Sequence, residues 1–260
     1  MACICLHDKK RIEHFLRKDL YLHIFSIGDL DDFFWPYTIW YGSETNGTID
    51  AVILIYVGLP LPTLLALSSE QKVIARLLAS IQHLLPNRFY AHLSPGLDVI
   101  LNKTHDLQSY GKHYKMALLD KTGIPTENDT DVKRLDMKNL KVIQELYKES
   151  YPDNWFDPRM LETGQYFGIR EKNRLVSIAG IHVYSPQYRV AALGNIATRP
   201  AYRNRGYGRR VTTKLCRSLT DQGIEIGLNV RTDNRAAISC YEKIGFSTVA
   251  AYEEFMMQKK

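Results

Sequence analysis

Residues 199–215 read RPAYRNRGYGRRVTTKL, and this stretch decides the fold that we expect for the second half of the chain. The apolar run of residues 190–197 ends just before it, as a strand would. A short basic loop with two glycines follows, and Val211, Leu215 and Leu219 then recur at the spacing of one helix face. A strand, a glycine-containing loop and a helix start aim several unpaired backbone N–H groups at one point, which predicts an anion site.

The residues of this loop favour a pyrophosphate ligand. Arg203 and Arg205 add fixed positive charge, and Gly206 and Gly208 allow a phosphate to approach the backbone closely. No Gly-Lys-Ser/Thr ending of a Walker loop follows, and Val211 stands where a Rossmann fingerprint has its third glycine or alanine. The loop therefore fits neither of these two nucleotide-binding motifs.

Two motifs together resemble the GNAT superfamily of N-acetyltransferases. The first is the coenzyme A loop, Arg-x-x-Gly-x-Gly, at residues 203–208, entered from a strand that ends in Thr198-x-Pro200. The second is a strand followed by Asn-x-x-Ala-x-x-x-Tyr-x-x-x-Gly-Phe, at residues 234–246. The resemblance covers about half of the chain, from near residue 131 onward, and it is nearest to the glycine N-acyltransferase-like branch.

The resemblance implies an α/β fold (an α+β mixed sheet), with a catalytic GNAT domain at residues 130–260. Residues 1–126 repeat the same order of elements, since residues 46–56 and 173–184 are similar strands, each followed by a proline-containing turn and a second strand. We therefore expect an internal duplication, with residues 123–129 as a linker. The N-terminal copy has Ser68, Ser69 and Glu70 where the glycine loop should be, so we expect a degenerate GNAT-like domain with a structural role and no cofactor.

The activity that the resemblance implies is transfer of an acetyl or other short acyl group from acyl-coenzyme A (acyl-CoA) to an amine by direct attack. Acetyl-CoA or another acyl-CoA is then the co-substrate, and no metal is implied. The resemblance assigns cofactor contacts to Ile196, Ala197, Thr198, Arg203, Asn204, Arg205, Gly206, Tyr207, Gly208, Arg209, Asn234, Ala237 and Tyr241. In the family, backbone groups at the first three of these positions contact the pantetheine arm and the thioester carbonyl.

Tyr241 matches the family's general acid, which protonates the departing thiolate, and we pair it with Asn229 as the catalytic residues. A phenol protonates a thiolate only if the site tunes both pKa values, and packing on its helix is the structural alternative for Tyr241. The general base is open, because the strand before the loop has Gly194 and Asn195 where many members have a glutamate. The candidates for the general base are Glu225, Asn229 and His182, and a structural role is the alternative for the histidine. For Asn234, the alternative to a cofactor contact is helix capping. Cys240 is poorly supported as a nucleophile.

The composition is that of a globular protein in a reducing compartment. A chain of 260 residues suits two domains, and 45% hydrophobic with 24% charged residues is ordinary for a soluble fold. Four cysteines are too few and too irregularly spaced for a disulfide framework, and the first residues do not read as a secretory signal. We therefore expect a cytoplasmic protein.

Membrane and nucleic-acid functions are disfavoured. Residues 49–67 are nearly all apolar, but Gly58, Pro60 and Pro62 predict a turn between two buried strands instead of a membrane helix. The net charge is −2 over residues 1–130 and +8 over residues 131–260, so positive charge accompanies the expected phosphate site. No stripe of interleaved aromatic and basic residues indicates nucleic-acid binding, although a basic nucleic-acid-binding protein remains one alternative.

The second alternative is a non-catalytic acyl-CoA-binding module for sensing or assembly. The acceptor, a small-molecule amine or a peptide, is left open by the sequence. The acyl chain length and the oligomeric state are also left open.

Overall fold

The computed structural model describes residues 3–125, 129–152 and 154–260. Contacts between Cα atoms divide the chain into two compact units, Met1–Lys115 with Thr248–Lys260, and Met116–Ser247. The predicted linker and the boundary at 126/130 lie partly outside the described residues, so the assignment of domains stays a prediction. In the described ranges, no helix has the length and apolar character needed to cross a bilayer.

The elements follow one another in this order: β1 (Cys3–Cys5), α1 (Lys9–Leu16), α2 (Ile24–Gly28), β2 (Thr38–Thr45), β3 (Thr48–Tyr56), β4 (Thr63–Ala66), α3 (Gln71–Ile81), β5 (Arg88–Leu93), α4 (Asp98–Leu101), β6 (His105–Leu118), β7 (Val132–Arg134), α5 (Leu140–Ser150), β8 (Phe167–Glu171), β9 (Arg174–Ser185), β10 (Val190–Thr198), α6 (Tyr207–Thr220), β11 (Glu225–Arg231), α7 (Arg235–Glu242) and β12 (Phe246–Lys259). Short 3₁₀ turns include Arg17–Asp19, Pro158–Thr163 and Pro200–Tyr202.

The first unit is a sheet in the strand order β1-β2-β3-β4-β5-β12-β6. The apolar run of residues 49–67 forms β3 and β4, as predicted, and the glycine and prolines lie in the turn between these strands. Asn46 and Gly47 both have positive φ, 51° and 78°, which is the two-residue turn that suits the β2–β3 hairpin. The apolar face of α3 is buried against the sheet, through Ile74, Leu77, Leu78 and Ile81.

The second unit contains strands in the order β11-β10-β9-β8-β7. The strands β10 and β11 are parallel, whereas β7, β8, β9 and β10 pair antiparallel, so the sheet is mixed as predicted. Helix α6 packs on β8 and β9 and buries Val211, Leu215 and Leu219, the face that the four-residue spacing predicts. Helix α5 packs on β9 and β10 through Ile143, Leu146 and Tyr147.

The two units share one order of elements. In the first unit, three antiparallel strands (β2, β3, β4) lead to α3, to a strand parallel to the last of them (β5), and to α4. In the second unit, β8, β9 and β10 lead in the same way to α6, β11 and α7. A tandem duplication of one domain would produce this order.

Candidate functional site

The parallel strands of the second unit separate where the sequence places the site. β10 pairs with β11 from Val190–Glu225 to Leu193–Leu228. Within the described chain, the later residues, 194–198 of β10 and 229–231 of β11, are not paired with one another. The two strands therefore part beyond Leu193 and Leu228, where a ligand would enter between them.

The equivalent strands of the first unit stay closed. β4 pairs with β5 up to Ala66–Leu93, and the N–H of Ser94 then donates to the Ala66 carbonyl at 3.0 Å. The Ser94 hydroxyl links further to Ser68, accepting from its N–H at 2.9 Å. The strands β4 and β5 of the first unit thus stay hydrogen-bonded to their ends, whereas the equivalent strands β10 and β11 of the second unit separate.

The loop between β10 and α6 carries unpaired amides at the start of a long helix. Asn204 and Gly206 both have left-handed backbone, with φ of 61° and 78°, and α6 begins at Tyr207. In the described part of the chain, the backbone N–H groups of residues 204–208 donate no hydrogen bond. Unpaired amides at the positive end of a helix dipole bind an anion well, so the loop retains the capacity that its sequence predicts.

Side chains of the loop support this arrangement. Arg203 donates from Nε to the carbonyl of Thr198 at 3.2 Å, which ties the exposed loop to the end of β10. The guanidinium of Arg205 lies 5.3 Å from the ring centroid of Tyr202. The hydroxyl of Tyr207 donates to Glu171 at 2.5 Å, and this hydrogen bond raises the pKa of Tyr207.

A β-bulge lies on β10 directly beyond its last pair with β11. The register against β9 breaks between Gly194 and Ala197, which leaves Asn195 and Ile196 outside the regular ladder. Asn195 is buried and has φ of 54°. Its carbonyl accepts a hydrogen bond from the hydroxyl of Tyr147 at 2.7 Å. Ile196, Ala197 and Thr198 thus follow a fixed kink at the mouth of the opening.

Tyr241 lies on α7 and is only 9% exposed. Its ring contacts that of Phe246, with 5.9 Å between centroids, and within the described residues its hydroxyl has no hydrogen-bond partner. Burial raises the pKa of Tyr241 above the ordinary value of a phenol. The hydroxyl therefore keeps its proton at neutral pH, but the raised pKa makes it a weaker acid toward a thiolate, so burial alone does not supply the tuning that proton transfer needs.

Asn234 and Asn229 lie on the neighbouring elements. Asn234 caps α7, because its Oδ1 accepts from the N–H of Ala237 at 3.2 Å. The capping alternative is thus realised, and it leaves the amide nitrogen of Asn234 for a cofactor contact. Asn229 is half-buried and is the first residue of β11 beyond the paired segment.

The candidates for the general base separate in the structure. Glu225 forms an ion pair with Lys121 at 2.8 Å and stands opposite Val190, at the far end of β11 from the opening. His182 lies against the bulge: a Cβ built on Gly194 would meet its Cδ2 at 1.9 Å. The placement therefore favours His182 and Asn229 over Glu225.

Cys240 is half-buried, and burial raises the pKa of its thiol, which disfavours a thiolate nucleophile. Of the residues that the structure describes, no three or more His, Cys, Asp or Glu side chains are gathered to hold a metal ion.

The sequence did not indicate the role of the tyrosines behind the bulge. Tyr147 follows the apolar spacing of α5, and Tyr166 precedes β8 in an apolar segment, so each is typical of a packing residue. Only the fold brings their hydroxyls to Asn195 and its neighbours.

The second half of the chain is similar to known acetyltransferases. Residues 134–246 match the model of the Acetyltransferase (GNAT) family. A 90-residue segment is 40% identical to the N-alpha-acetyltransferase RimI of Mycobacterium tuberculosis, covering 32% of this chain and 52% of that protein. The chain thus spans about half the length of this curated relative.

Two solved structures resemble nearly the whole chain. A Drosophila melanogaster protein matches with a TM-score of 0.70 and 11% identity, over 98% of both chains. A tandem GNAT protein from the clavulanic acid biosynthesis pathway matches with a TM-score of 0.56 and 13% identity, over 98% of this chain and 97% of that one. At these identities the likeness concerns the fold, and it confirms the predicted mixed α/β architecture.

Proposed function

Because residues 134–246 form a GNAT-family acetyltransferase domain, we propose that this protein is an acyl-CoA-dependent N-acyltransferase. It moves an acetyl group, or another short acyl group, from acyl-CoA to the nitrogen of a small-molecule amine or a peptide. The observation that carries the proposal is the row of unpaired N–H groups at residues 204–208, next to the opening between β10 and β11. A diphosphate at that row places the thioester arm between the two strands.

The residues at the opening supply the remaining requirements of acyl transfer. Backbone groups of the bulge and of Ile196 polarise the thioester carbonyl. The amine nitrogen forms the new C–N bond while the C–S bond breaks, and the thiolate takes the proton of Tyr241. The proton lost by the amine passes to the imidazole of His182, directly or through a water molecule that Asn229 positions. Both positions adjoin the point where β10 and β11 part.

The N-terminal region, residues 1–126, is proposed to be a degenerate copy with a structural role, and residues 130–260 the catalytic domain. The shared order of elements supports this, as does the likeness of the whole chain to a tandem GNAT protein. The closed β4–β5 pair and the missing glycine loop argue against a second cofactor. All four cysteines are free thiols, which suits the proposed cytoplasmic location.

Replacing Tyr241 by phenylalanine tests the proposal, because the change removes only the proton donor. We expect transfer from acetyl-CoA to fall by about 100-fold or more, whereas the Kd of coenzyme A changes less than about twofold. Tyr184→Phe is the matched control, since it removes a surface hydroxyl bond to Gln222 (2.7 Å) and leaves the opening intact.

Isothermal titration of coenzyme A and a thiol-release screen of amines and peptides measure the two quantities. A wild-type protein that produces no heat with coenzyme A would overturn the proposed function. A protein that binds coenzyme A but releases no thiol with any acceptor would instead be the non-catalytic module, the second candidate.

A further inference from the structure

Asn195 adopts a backbone conformation that its neighbours must enforce. Positive φ costs most residues with a side chain about 1–2 kcal/mol, whereas asparagine adopts it more readily, and the conformation persists where the surroundings fix it. Asn195 has φ of 54° and is 2% exposed, so solvent does not relax it. The contacts around it show what holds it.

Two buried tyrosine hydroxyls fix Asn195 from outside its own strand. Tyr147, on α5, donates to the backbone carbonyl of Asn195 at 2.7 Å. Tyr166 donates to the carbonyl of Ile181 at 2.8 Å and accepts from Nδ2 of Asn195 at 3.1 Å. Burial raises the pKa of both phenols, so both remain protonated donors. The bulge is thus bonded through its main chain and its side chain.

Gly180 of β9 makes room for this network. A Cβ on Gly180 would meet the ring of Tyr166 at 2.1 Å, and Gly180 is the register partner of Gly194. The Tyr166 ring therefore lies flat on the sheet beside the bulge, a position that a side chain at 180 would block. Phe156 packs against both tyrosine rings, with centroids 5.1 Å from Tyr147 and 5.8 Å from Tyr166.

We propose that Tyr147 and Tyr166 are positioning residues for acyl transfer, which hold the Asn195 bulge so that the backbone beyond it meets the thioester carbonyl. The inference rests on the proposed function. Donors to a developing oxyanion act only within a few tenths of an ångström of the correct place, so a hydroxyl that fixes the bulge affects the chemical step. The same hydroxyl does not affect binding of the diphosphate, which is bound by residues 204–208.

This separation gives a sharp test, because coenzyme A has no acyl carbonyl whereas acetyl-CoA has one. Tyr147→Phe removes one oxygen atom and leaves the apolar packing of the ring. We expect kcat for acetyl transfer to fall about tenfold, while the Kd of coenzyme A and the KM of acetyl-CoA stay within about twofold. Tyr166→Phe is expected to act in the same direction, and the double variant less than additively, since both act on one bulge.

Tyr184→Phe is again the control, because its hydroxyl bond is lost at an exposed site, and kcat should not change. A thermal melt of each variant identifies loss of folding, and Tyr166→Phe decides the question if Tyr147→Phe does not fold. A kcat within twofold of wild type in a folded variant, with only the melting temperature lowered, would show a merely structural role and overturn the inference. Absence of acetyl transfer by the wild-type protein would overturn the proposed function first.

Discussion

Asp29 is a buried carboxyl group in the first unit, and burial raises its pKa to about 8. His23 and Lys115 are also buried in this unit. Burial and the neighbouring Lys115 lower the pKa of His23 to about 3, and burial lowers the pKa of Lys115 to about 8. The Lys115 ammonium lies 5.0 Å from the ring centroid of Phe25 and 5.2 Å from that of Tyr252, so aromatic faces replace part of its hydration.

The raised pKa of Asp29 makes stability depend on pH in a defined direction. The folded state holds this proton up to about pH 8, whereas the unfolded chain releases it near pH 3.8. The contribution of the Asp29 proton to the free energy of unfolding is therefore complete below pH 3.8 and is lost as the pH rises through about 8. Ionisation of the buried group then opposes folding.

We expect Asp29→Asn to remove this loss. The variant should gain free energy of unfolding relative to wild type on going from pH 5 to pH 9, by an amount on the order of a few kcal/mol. Urea unfolding at both pH values measures it. The control is Asp106→Asn, at an exposed position, whose free energy of unfolding should differ from that of wild type by the same amount at pH 5 and at pH 9. An Asp29→Asn difference that is equal at pH 5 and pH 9 would contradict the prediction.

Among the elements, those with a clear local pattern were predictable. The apolar spacing of α3, α5 and α6 locates the buried faces, and Asn46 with Gly47 locates the β2–β3 turn. Helix-like apolar spacing extends from Ile24 to Phe33, whereas α2 ends at Gly28. Because the helical spacing of apolar residues continues past Gly28, no signal in the sequence marked the end of α2.

Two strands, β1 and β12, had no usable signal in the sequence. In β12, Glu253 and Glu254 interrupt the apolar alternation, and a half-buried charge argues against a strand within a sheet. The fold accommodates Glu254 because Tyr252 donates to it at 2.5 Å, and His92 and His113 lie within 3.5 Å and 3.4 Å of its oxygens. His92 and His113 come from other strands, so only the three-dimensional structure reveals them as partners of Glu254.

Only part of the candidate site could be predicted from the sequence. The loop at residues 203–208 and Tyr241 follow from motifs, whereas the kink at Asn195 depends on where β10 stops pairing with β11. Register between strands whose partners, such as Val190 and Glu225, are 35 residues apart is not encoded in a local pattern. The assignment of contacts to individual residues of the loop stays a prediction.

The loop glycine gives a prediction with a matched control. Gly206 and Gly47 both have φ of 78°, and a Cβ at either would meet no atom within 4 Å. Gly206→Ala and Gly47→Ala should therefore cost similar stability, about 1 kcal/mol each, from left-handed strain alone. Only Gly206→Ala should weaken coenzyme A binding, by about tenfold or ~1.4 kcal/mol, because it reorients the amides.

Chemical denaturation and isothermal titration of both variants measure the two effects. Equal coenzyme A affinity of the two variants would show that the conformation of the loop does not matter for binding.

At the scale of the whole molecule, the two units share an order of elements but differ at the parallel strand pair. The opening between β10 and β11 has no counterpart between β4 and β5, where Ser94 continues the pairing beyond Leu93. The proposed duplication rests on a repeated pattern in the sequence and on this shared order of elements. Whether a repeated strand pair opens or closes depends on a few hydrogen bonds at its end.

We therefore expect one coenzyme A per chain. Isothermal titration should give a stoichiometry of one, and the variant Arg203→Ala with Arg205→Ala should lose most of this binding, because it removes two positive charges from the loop. Arg88→Ala with Arg76→Ala, in the first unit, is the control with the same change of charge. A second site of similar affinity, retained in the loop variant, would refute the structural role proposed for the first unit.

The strand β12 has a consequence for synthesis of the protein. Residues 248–260 belong to the first unit, where β12 pairs with β5 from Glu253–Leu93 to Gln258–Arg88. The ribosome delivers these residues only after it has made the entire second unit. The half of the molecule that is translated first is thus the half that is finished last, and its unpaired β5 edge awaits that strand throughout elongation, a period in which chaperone binding would be most useful.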